Sequence, residues 1–336
     1  MSQLPTYQTP MLTPAEFWDR EVTAPLAPPS HSWTAQPLVR TYINESVGGR
    51  EGTWPLDWFQ AAYPGRRFRR ALSIGCGPGA FERDVVRRNL ADFIEGADLS
   101  EKSLEMARDA AAAEGMQDRI AYSIRDFNTL ELRPRTYDFI AFHQSLHHVA
   151  RLEHLLAQVH RALTPDGLLY LDEFVGPSRT YWNEQRIRWY CALYQLYPRQ
   201  QRYFDEFQLP VQLDDPSEAI RSGDIFSRVS LAFDFEHVRG YGGNILAVMF
   251  PGLLVETLTE EQIATMIAAE KALLDAGAPH FHAVITARPK RGWRGALAQL
   301  MYPLIAPFPR LVRELQFLVR RYIRRSRKLV AAAPES

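Results

Sequence analysis

Between residues 71 and 82 the chain reads ALSIGCGPGAFE: a short apolar run, three glycines and a proline, then a stretch of helical character. Gly75, Gly77 and Gly79 are spaced G-x-G-x-G. A phosphate loop would follow its last glycine with Lys and Ser or Thr, and neither stands here. The dinucleotide fingerprint needs a glycine three positions after Gly77, where this chain has Ala80. A bare backbone at a strand end lets a ligand approach closely and tolerates left-handed φ. The segment therefore predicts a strand, a ligand-contacting turn and a helix, with no pyrophosphate as its ligand.

A regular alternation follows. FIEGADLS reads as a second strand, SLEMARDAAAAEG as a helix ended by Gly115, IAYSIRDFN as a third strand and YDFIAFHQ as a fourth. LEHLLAQVHRAL carries apolar residues at helical spacing and stops at Pro165-Asp166-Gly167; LLYLDEFV is a fifth strand. Strands alternating with helices imply parallel pairing, right-handed crossovers and helices on both faces of an α/β sheet. After Val175 the rhythm breaks for an aromatic, helix-prone insertion over 176–230, and strand-like stretches return at LAFDFEHVRG and HFHAVITARP. Residues 1–35, rich in Pro, Ser and Thr, read as a flexible arm.

At 336 residues, 46% apolar and 23% charged, the chain has the make-up of a globular protein with a substantial core. The zero formal charge conceals an asymmetry. Residues 288–328 hold twelve Lys or Arg against Glu314 alone, which leaves 27 basic and 38 acidic residues elsewhere. An acidic body without a basic groove argues against nucleic acid as a partner. Two cysteines, Cys76 and Cys191, make neither a disulfide framework nor a four-ligand zinc site. The N-terminus lacks the basic start and apolar core of a signal peptide, so the expected location is cytoplasmic.

In an open parallel sheet, ligands collect at the carboxyl ends of the strands beside the switch in strand order. The glycine loop lies there, Asp98 ends the second strand, and Asp126 ends the third. These three signals in order resemble the class I S-adenosylmethionine-dependent methyltransferases. LSIGCGPG resembles that family's first motif, GADLS its acidic second, IRDFN its third, YDFIAFHQSLHHV its fourth and LTPDGLLYLDEF its strand-five motif. The resemblance is specific over residues 70–175 and looser to about 288. It implies a doubly wound, Rossmann-like, seven-stranded, mostly parallel sheet whose last hairpin adds one antiparallel strand, occupying residues 36–290. It also implies S-adenosylmethionine as cofactor. Gly75, Cys76, Gly77 and Gly79 would hold the methionine moiety, Asp98 and Leu99 the ribose, and Asp126 and Phe127 the adenine, with His143 beside them. YINESVGG, DEFVGPSRTYW, DPSEAIRSGDIF and RGYGGNI further resemble bacterial methyltransferases that accompany glycosyltransferases in surface-polysaccharide clusters.

Methyl transfer to a hydroxyl needs the acceptor near attack distance and its proton removed. His143, His147 and His148 stand where the fourth strand opens into the cleft, and a histidine titrating near neutrality suits that task. His147 is the first candidate base, with His143 and His237 behind it; His148 reads as a packing or capping residue. Glu173, Arg179, Tyr181, Trp182 and Arg221 are candidates for the acceptor site, the arginines for a phosphate or carboxylate. The other aromatics of the insertion fall at the spacing of core packing. A related quinone-biosynthesis group binds a divalent metal through acids and a His in the fourth motif. Gln144 and His147 occupy the acidic positions here, so no metal is expected.

The expected reaction is methylation of a small-molecule or glycan hydroxyl, the glycan lipid-linked in one version. Alternatives are a carbon or nitrogen acceptor, or a catalytically idle cofactor-binding scaffold at a membrane. The tail, residues 291–336, carries FPRLVRELQFLVRRYIRRSRK. It places Phe308, Leu311, Val312, Leu315, Leu318, Val319, Tyr322 and Ile323 on one helical face and arginines on the other. Such a basic amphipathic helix predicts contact with an anionic membrane surface, at the inner membrane face, or docking of its apolar stripe on the acidic body or a partner subunit.

Overall fold

The computed structural model describes residues 12–23, 32–50, 52–210 and 215–307. Apolar runs become strands β1 (Phe68–Ile74), β2 (Ala91–Asp98), β3 (Ile120–Ile124), β4 (Tyr137–His143), β5 (Leu163–Phe174), β6 (Phe233–Gly240) and β7 (His282–Pro289). They form one sheet in the order β3-β2-β1-β4-β5-β7-β6. β1 pairs in parallel with both β2 and β4, β4 with β5, and β7 runs antiparallel between β5 and β6. This is the doubly wound sheet with one reversed strand that the sequence predicts. The order reverses between β1 and β4, so a crevice opens at their carboxyl ends.

Period-two alternation sends neighbouring residues to opposite faces. Ala71, Phe139, Leu168 and Tyr170 enter one core, while Leu72, Ile140, Leu169 and Leu171 enter the other. The helices that cover these faces are α1 (Pro14–Thr23), α2 (Pro37–Gly48), α3 (Pro55–Ala62), α4 (Ala80–Arg87), α5 (Glu101–Ala113), α6 (Leu152–Ala162), α7 (Glu184–Gln195), α8 (Ile225–Ala232), α9 (Leu246–Met249), α10 (Glu260–Asp275) and α11 (Gly292–Ile305). At the Pro-Asp-Gly turn the chain does not leave the sheet. β5 already starts at Leu163, and its register against β4 jumps from Tyr137–Leu163 to Phe139–Leu168. The turn is absorbed as a bulge.

Two segments differ from the sequence expectation. Residues 14–23, read as part of a flexible arm, form α1. Thr13 and Glu16 cap it reciprocally: the Thr13 amide donates to Glu16 Oε2 at 2.8 Å and the Glu16 amide donates to Thr13 Oγ1 at 3.3 Å. With Pro14 at the first helical position, TPAE is a helix start that the Pro- and Thr-rich composition hides. Phe17, 2% exposed, anchors the helix, and Asp19 ties it to α5 by accepting from Ser100 Oγ at 2.6 Å and from the Lys102 amide at 3.1 Å.

The second difference is at the far end. Residues 292–305 pack onto the body as α11, against α6 and α8, burying Ala298, Tyr302 and Ile305. The Tyr302 hydroxyl donates to the Arg228 carbonyl at 2.8 Å. The arginine-rich stripe from Phe308 onward lies outside the described residues, as do residues 1–11. None of the helices among the described residues is long and apolar enough to cross a membrane. Because Tyr302 fills a closed space between α6 and α8, Tyr302→Ala should lower the unfolding free energy by about 3 kcal/mol. Truncation after Pro289 should lower the melting temperature at least as much. Calorimetry or denaturant titration checks both, and unchanged stability would make α11 a passive appendage.

Candidate functional site

The first motif places its glycines in two different roles. Gly75 has φ +78°, and a Cβ there would lie 2.2 Å from Ser145 Cβ, so the ends of β1 and β4 meet only because the side chain is missing. The contact is fixed by Ser145 Oγ, which donates to the Ile74 carbonyl at 2.6 Å. Gly77 faces open space, and its amide donates to Asp98 Oδ2 at 2.8 Å. Gly79 is different. It starts α4, sits under the Tyr122 hydroxyl and does not line the cleft. It is a packing glycine rather than a ligand contact.

The cleft that this loop walls has a volume of about 660 Å³. Gly75, Cys76, Gly77, Asp98, Leu99, Asp126, Phe127 and His143 all line it, so eight of the nine expected cofactor residues converge. Asp98 Oδ1 accepts from the Ser100 amide at 2.9 Å, and Asp126 Oδ1 from the Asn128 amide at 2.9 Å; both acids are preset by the turns that follow their strands. Burial raises the Asp98 carboxyl pKa, opposed by its amide donors. Burial and the nearby acids Glu82 and Asp98 push the Cys76 thiol well up, which leaves it without nucleophilic character. His143 stacks on Phe81 with ring centres 5.3 Å apart, its Nε2 3.8 Å from Asp172 Oδ2. The fourth wall is α1, through Pro14, Trp18, Glu21 and Val22, none of which the sequence pattern singles out.

A second cavity, about 790 Å³, meets the first at Trp18, Gln144 and His148. His147 lines it, 6% exposed. Its Nδ1 lies 2.8 Å from Glu173 Oε2, while Glu173 Oε1 accepts from the amides of Ser145 at 2.7 Å and Leu146 at 2.6 Å. Gln144, at φ +53°, makes the sharp turn out of β4 that brings these amides onto the carboxylate. Burial alone would lower the His147 pKa; the hydrogen bond and charge of Glu173, with Glu218 and Asp215 farther off, outweigh it and raise the pKa.

His148 is held by the insertion, with Nδ1 3.3 Å from Asp215 Oδ2 and 3.2 Å from Ser217 Oγ. Glu218 completes a group of two imidazoles and one carboxylate whose ligand-type atoms lie within 4.8 Å of one another. The sequence pattern offers no such group, because Glu218 reaches it across some seventy residues of chain.

Several expected acceptor residues serve other ends. His237 lies on β6 against Trp58 and Tyr63, with ring centres 5.5 and 5.8 Å away, and lines neither cavity. Glu173 is wholly buried behind His147. Arg179 donates to the carbonyls of Asp215 at 2.9 Å and Pro216 at 3.1 Å, shaping the loop that carries Ser217 and Glu218. Arg221 forks onto Glu153 at 2.6 and 2.7 Å. Tyr181 is 46% exposed and outside the cavity wall, whereas Trp182 lines it. Tyr190 and Tyr194 are core residues whose hydroxyls donate to the carbonyls of Asn244 and Gly252.

Residues 72–171 match the family model of the methyltransferase domain. The chain is 30% identical over 151 residues to 27-O-demethylrifamycin SV methyltransferase of Amycolatopsis mediterranei, covering 43% of this chain and 54% of that protein. It is 29% identical over 115 residues to a ubiquinone biosynthesis O-methyltransferase of Neisseria meningitidis, covering 34% and 48%. An S-adenosylmethionine-dependent methyltransferase from Mesorhizobium loti aligns with a TM-score of 0.42 and 21% identity over 70% of this chain and 96% of that one. The chain spans about half the length of the curated relatives it matches. Residues 72–171 thus carry a methyltransferase domain, on a sheet whose strand order and glycine turn are those expected from the resemblance to class I S-adenosylmethionine-dependent methyltransferases.

The cleft fits that cofactor. Gly77 leaves the backbone open where a Cβ would protrude, and the Asp98 carboxylate lines the same cleft at the end of β2, where the resemblance implies a ribose contact. Asp98→Ala should therefore weaken binding of S-adenosylhomocysteine at least tenfold, about 1.4 kcal/mol, in calorimetry. Equal affinity in variant and parent would remove Asp98 from the ribose site.

Proposed function

We propose that the protein transfers the methyl group of S-adenosylmethionine to a hydroxyl of a small molecule, with His147 as the general base. The observation that carries this reading is the buried Glu173–His147 pair. A carboxylate at Nδ1 favours the tautomer with hydrogen on that nitrogen, which leaves Nε2 as the ring's free lone pair. The ring lines the larger cavity, beside the seam with the cofactor cleft. When bound, the cofactor supplies an electrophilic sulfonium methyl. The chain's own part is to hold the acceptor oxygen in line, exclude water with Trp18 and Trp182, and take the hydroxyl proton on His147. The Glu173 carboxylate then stabilises the imidazolium that forms.

Two relatives support oxygen as the acceptor atom, since the ubiquinone biosynthesis enzyme and the demethylrifamycin enzyme both carry an O-methyl position in their names. An anionic membrane surface is the outer part of the same proposal and rests on the arginine-rich tail beyond residue 307; a glycan hydroxyl is the competing acceptor class, suggested by the aromatic insertion. The tail reading predicts salt-sensitive sedimentation of the full chain with anionic vesicles.

His147→Ala should leave cofactor affinity unchanged and reduce turnover by roughly a hundredfold or more. The base acts in its neutral form, and its pKa lies above the ordinary histidine value. Turnover should therefore rise with pH through a midpoint above that value and be lost on the acid side. Glu173→Gln removes the charge that raises this pKa, so the acid limb should move to lower pH as turnover falls. Full turnover in His147→Ala would transfer the reading to a carbon or nitrogen acceptor. Chelator-treated enzyme should keep its activity; loss on chelation and recovery with zinc or manganese would move proton removal to a metal at His147, His148 and Glu218.

A further inference from the structure

The wall of the larger cavity is specific in what it lacks. Among the described residues, no lysine or arginine lines it, and Glu218 is its one carboxylate. Arg179 and Arg221, which flank Pro177 and Ala219 in sequence, are turned away, Arg179 onto backbone carbonyls and Arg221 onto Glu153. A phosphate or carboxylate buried here would meet no lysine or arginine among the described residues and would face Glu218. The rest of the surface is broad and apolar, with Trp33, Phe174, Trp182, Phe204 and Val248 among its members. Aromatic faces of this kind hold flat rings by stacking and area burial.

His282 supplies a further polar feature that packing does not use. It opens β7, is 8% exposed and lines the cavity. Trp33, Phe174 and Tyr241 surround its ring, with centres 4.9, 5.2 and 5.5 Å away. Burial, helped by the nearby His147, lowers its pKa to about 3, so the imidazole is neutral, with one donor and one acceptor nitrogen. Nδ1 is buried without a hydrogen-bond partner among the described residues and is closed over by Gly243, where a Cβ would stand 2.4 Å away. Nε2, on the other side of the ring, makes no hydrogen bond among the described residues and is the nitrogen left for a ligand in the cavity. A neutral imidazole set in an aromatic wall with its hydrogen-bonding capacity unspent is a recognition point for an uncharged polar group.

We propose that the methyl acceptor is an uncharged, flat, largely apolar aromatic alcohol that carries a second oxygen hydrogen-bonded to His282. This rests on the reading of the larger cavity as the acceptor site, but not on His147 as the base. It excludes phosphate-bearing acceptors, lipid-linked glycans included, from the cavity itself.

Calorimetry on the full chain saturated with S-adenosylhomocysteine tests the assignment without requiring turnover. The probes are a dihydroxyflavone, the monohydroxyflavone that lacks its second hydroxyl, a hydroxyflavone carboxylic acid, a hydroxyflavone phosphate ester and methyl glucoside. The dihydroxyflavone should bind at least tenfold more tightly than the carboxylic acid, the phosphate ester and the glucoside, and more tightly than the monohydroxy compound. His282→Phe should erase the preference for the second hydroxyl, and His282→Gln should restore part of it; thermal melts verify that both fold. An anionic probe or the glucoside binding as well as the dihydroxyflavone would overturn the proposal. So would the absence of binding by every probe, or a diol preference that survives in His282→Phe. His147 touches the acceptor hydroxyl in the base reading, so the His147 variant is read in turnover and the acceptor class in the binding of the probes to the parent and the His282 variants. Failure of the base reading therefore shows in turnover alone, and failure of the acceptor class shows in binding.

Discussion

Glu173 has no exposure to solvent, yet its two oxygens accept from the amides of Ser145 and Leu146 and meet Nδ1 of His147. A carboxylate at the end of β5 thus closes the turn that follows β4. That turn decides where everything else in the crevice stands. Ser145 reaches across to the end of β1, where it leaves no room for a side chain at Gly75. The same bonds orient the His147 ring. A buried carboxylate that loses one of its donors keeps its full desolvation cost, so the arrangement tolerates little drift. Cofactor loop, strand junction and imidazole are positioned by one side chain.

The insertion after β5 is secured by the same kind of chemistry on the opposite side of the cavity. Glu153 on α6 is paired with Arg221 and with the fully buried Arg228. Arg179 holds the carbonyls of Asp215 and Pro216. These arginines carry the features of anion-binding residues in sequence. Their charges are spent inside the fold, where a matched acid or a carbonyl pair is available. This leaves the cavity itself to aromatic rings and neutral polar groups, with Glu218 at its edge.

The sheet and the cofactor cleft were legible because their signals are local. Apolar runs of strand length, a bare turn at residues 75–79 and acids at the ends of β2 and β3 each sit within a few residues of the element they define. Spacing alone does not tell a glycine that faces a ligand from one packed under Tyr122, as Gly79 is. The acceptor cavity was less legible for a different reason. Trp18, Trp33, Glu218 and His282 come from four distant parts of the chain, and their meeting is a product of tertiary packing. His237 is equivalent to other histidines by residue type, but β6 is an edge strand, at the end of the sheet opposite β3, and presents it to Trp58 and Tyr63. For α1 the local signal existed, in the reciprocal Thr13–Glu16 cap, and was masked by the surrounding proline-rich composition.

Trp18 belongs to both cavities, and Asp19, beside it on α1, is bonded to the start of α5. The two compartments consequently share α1 as a wall, held at Asp19 by hydrogen bonds to the start of α5. Any displacement of α1 would carry the Trp18 indole away from His148 and open both chambers together along this side.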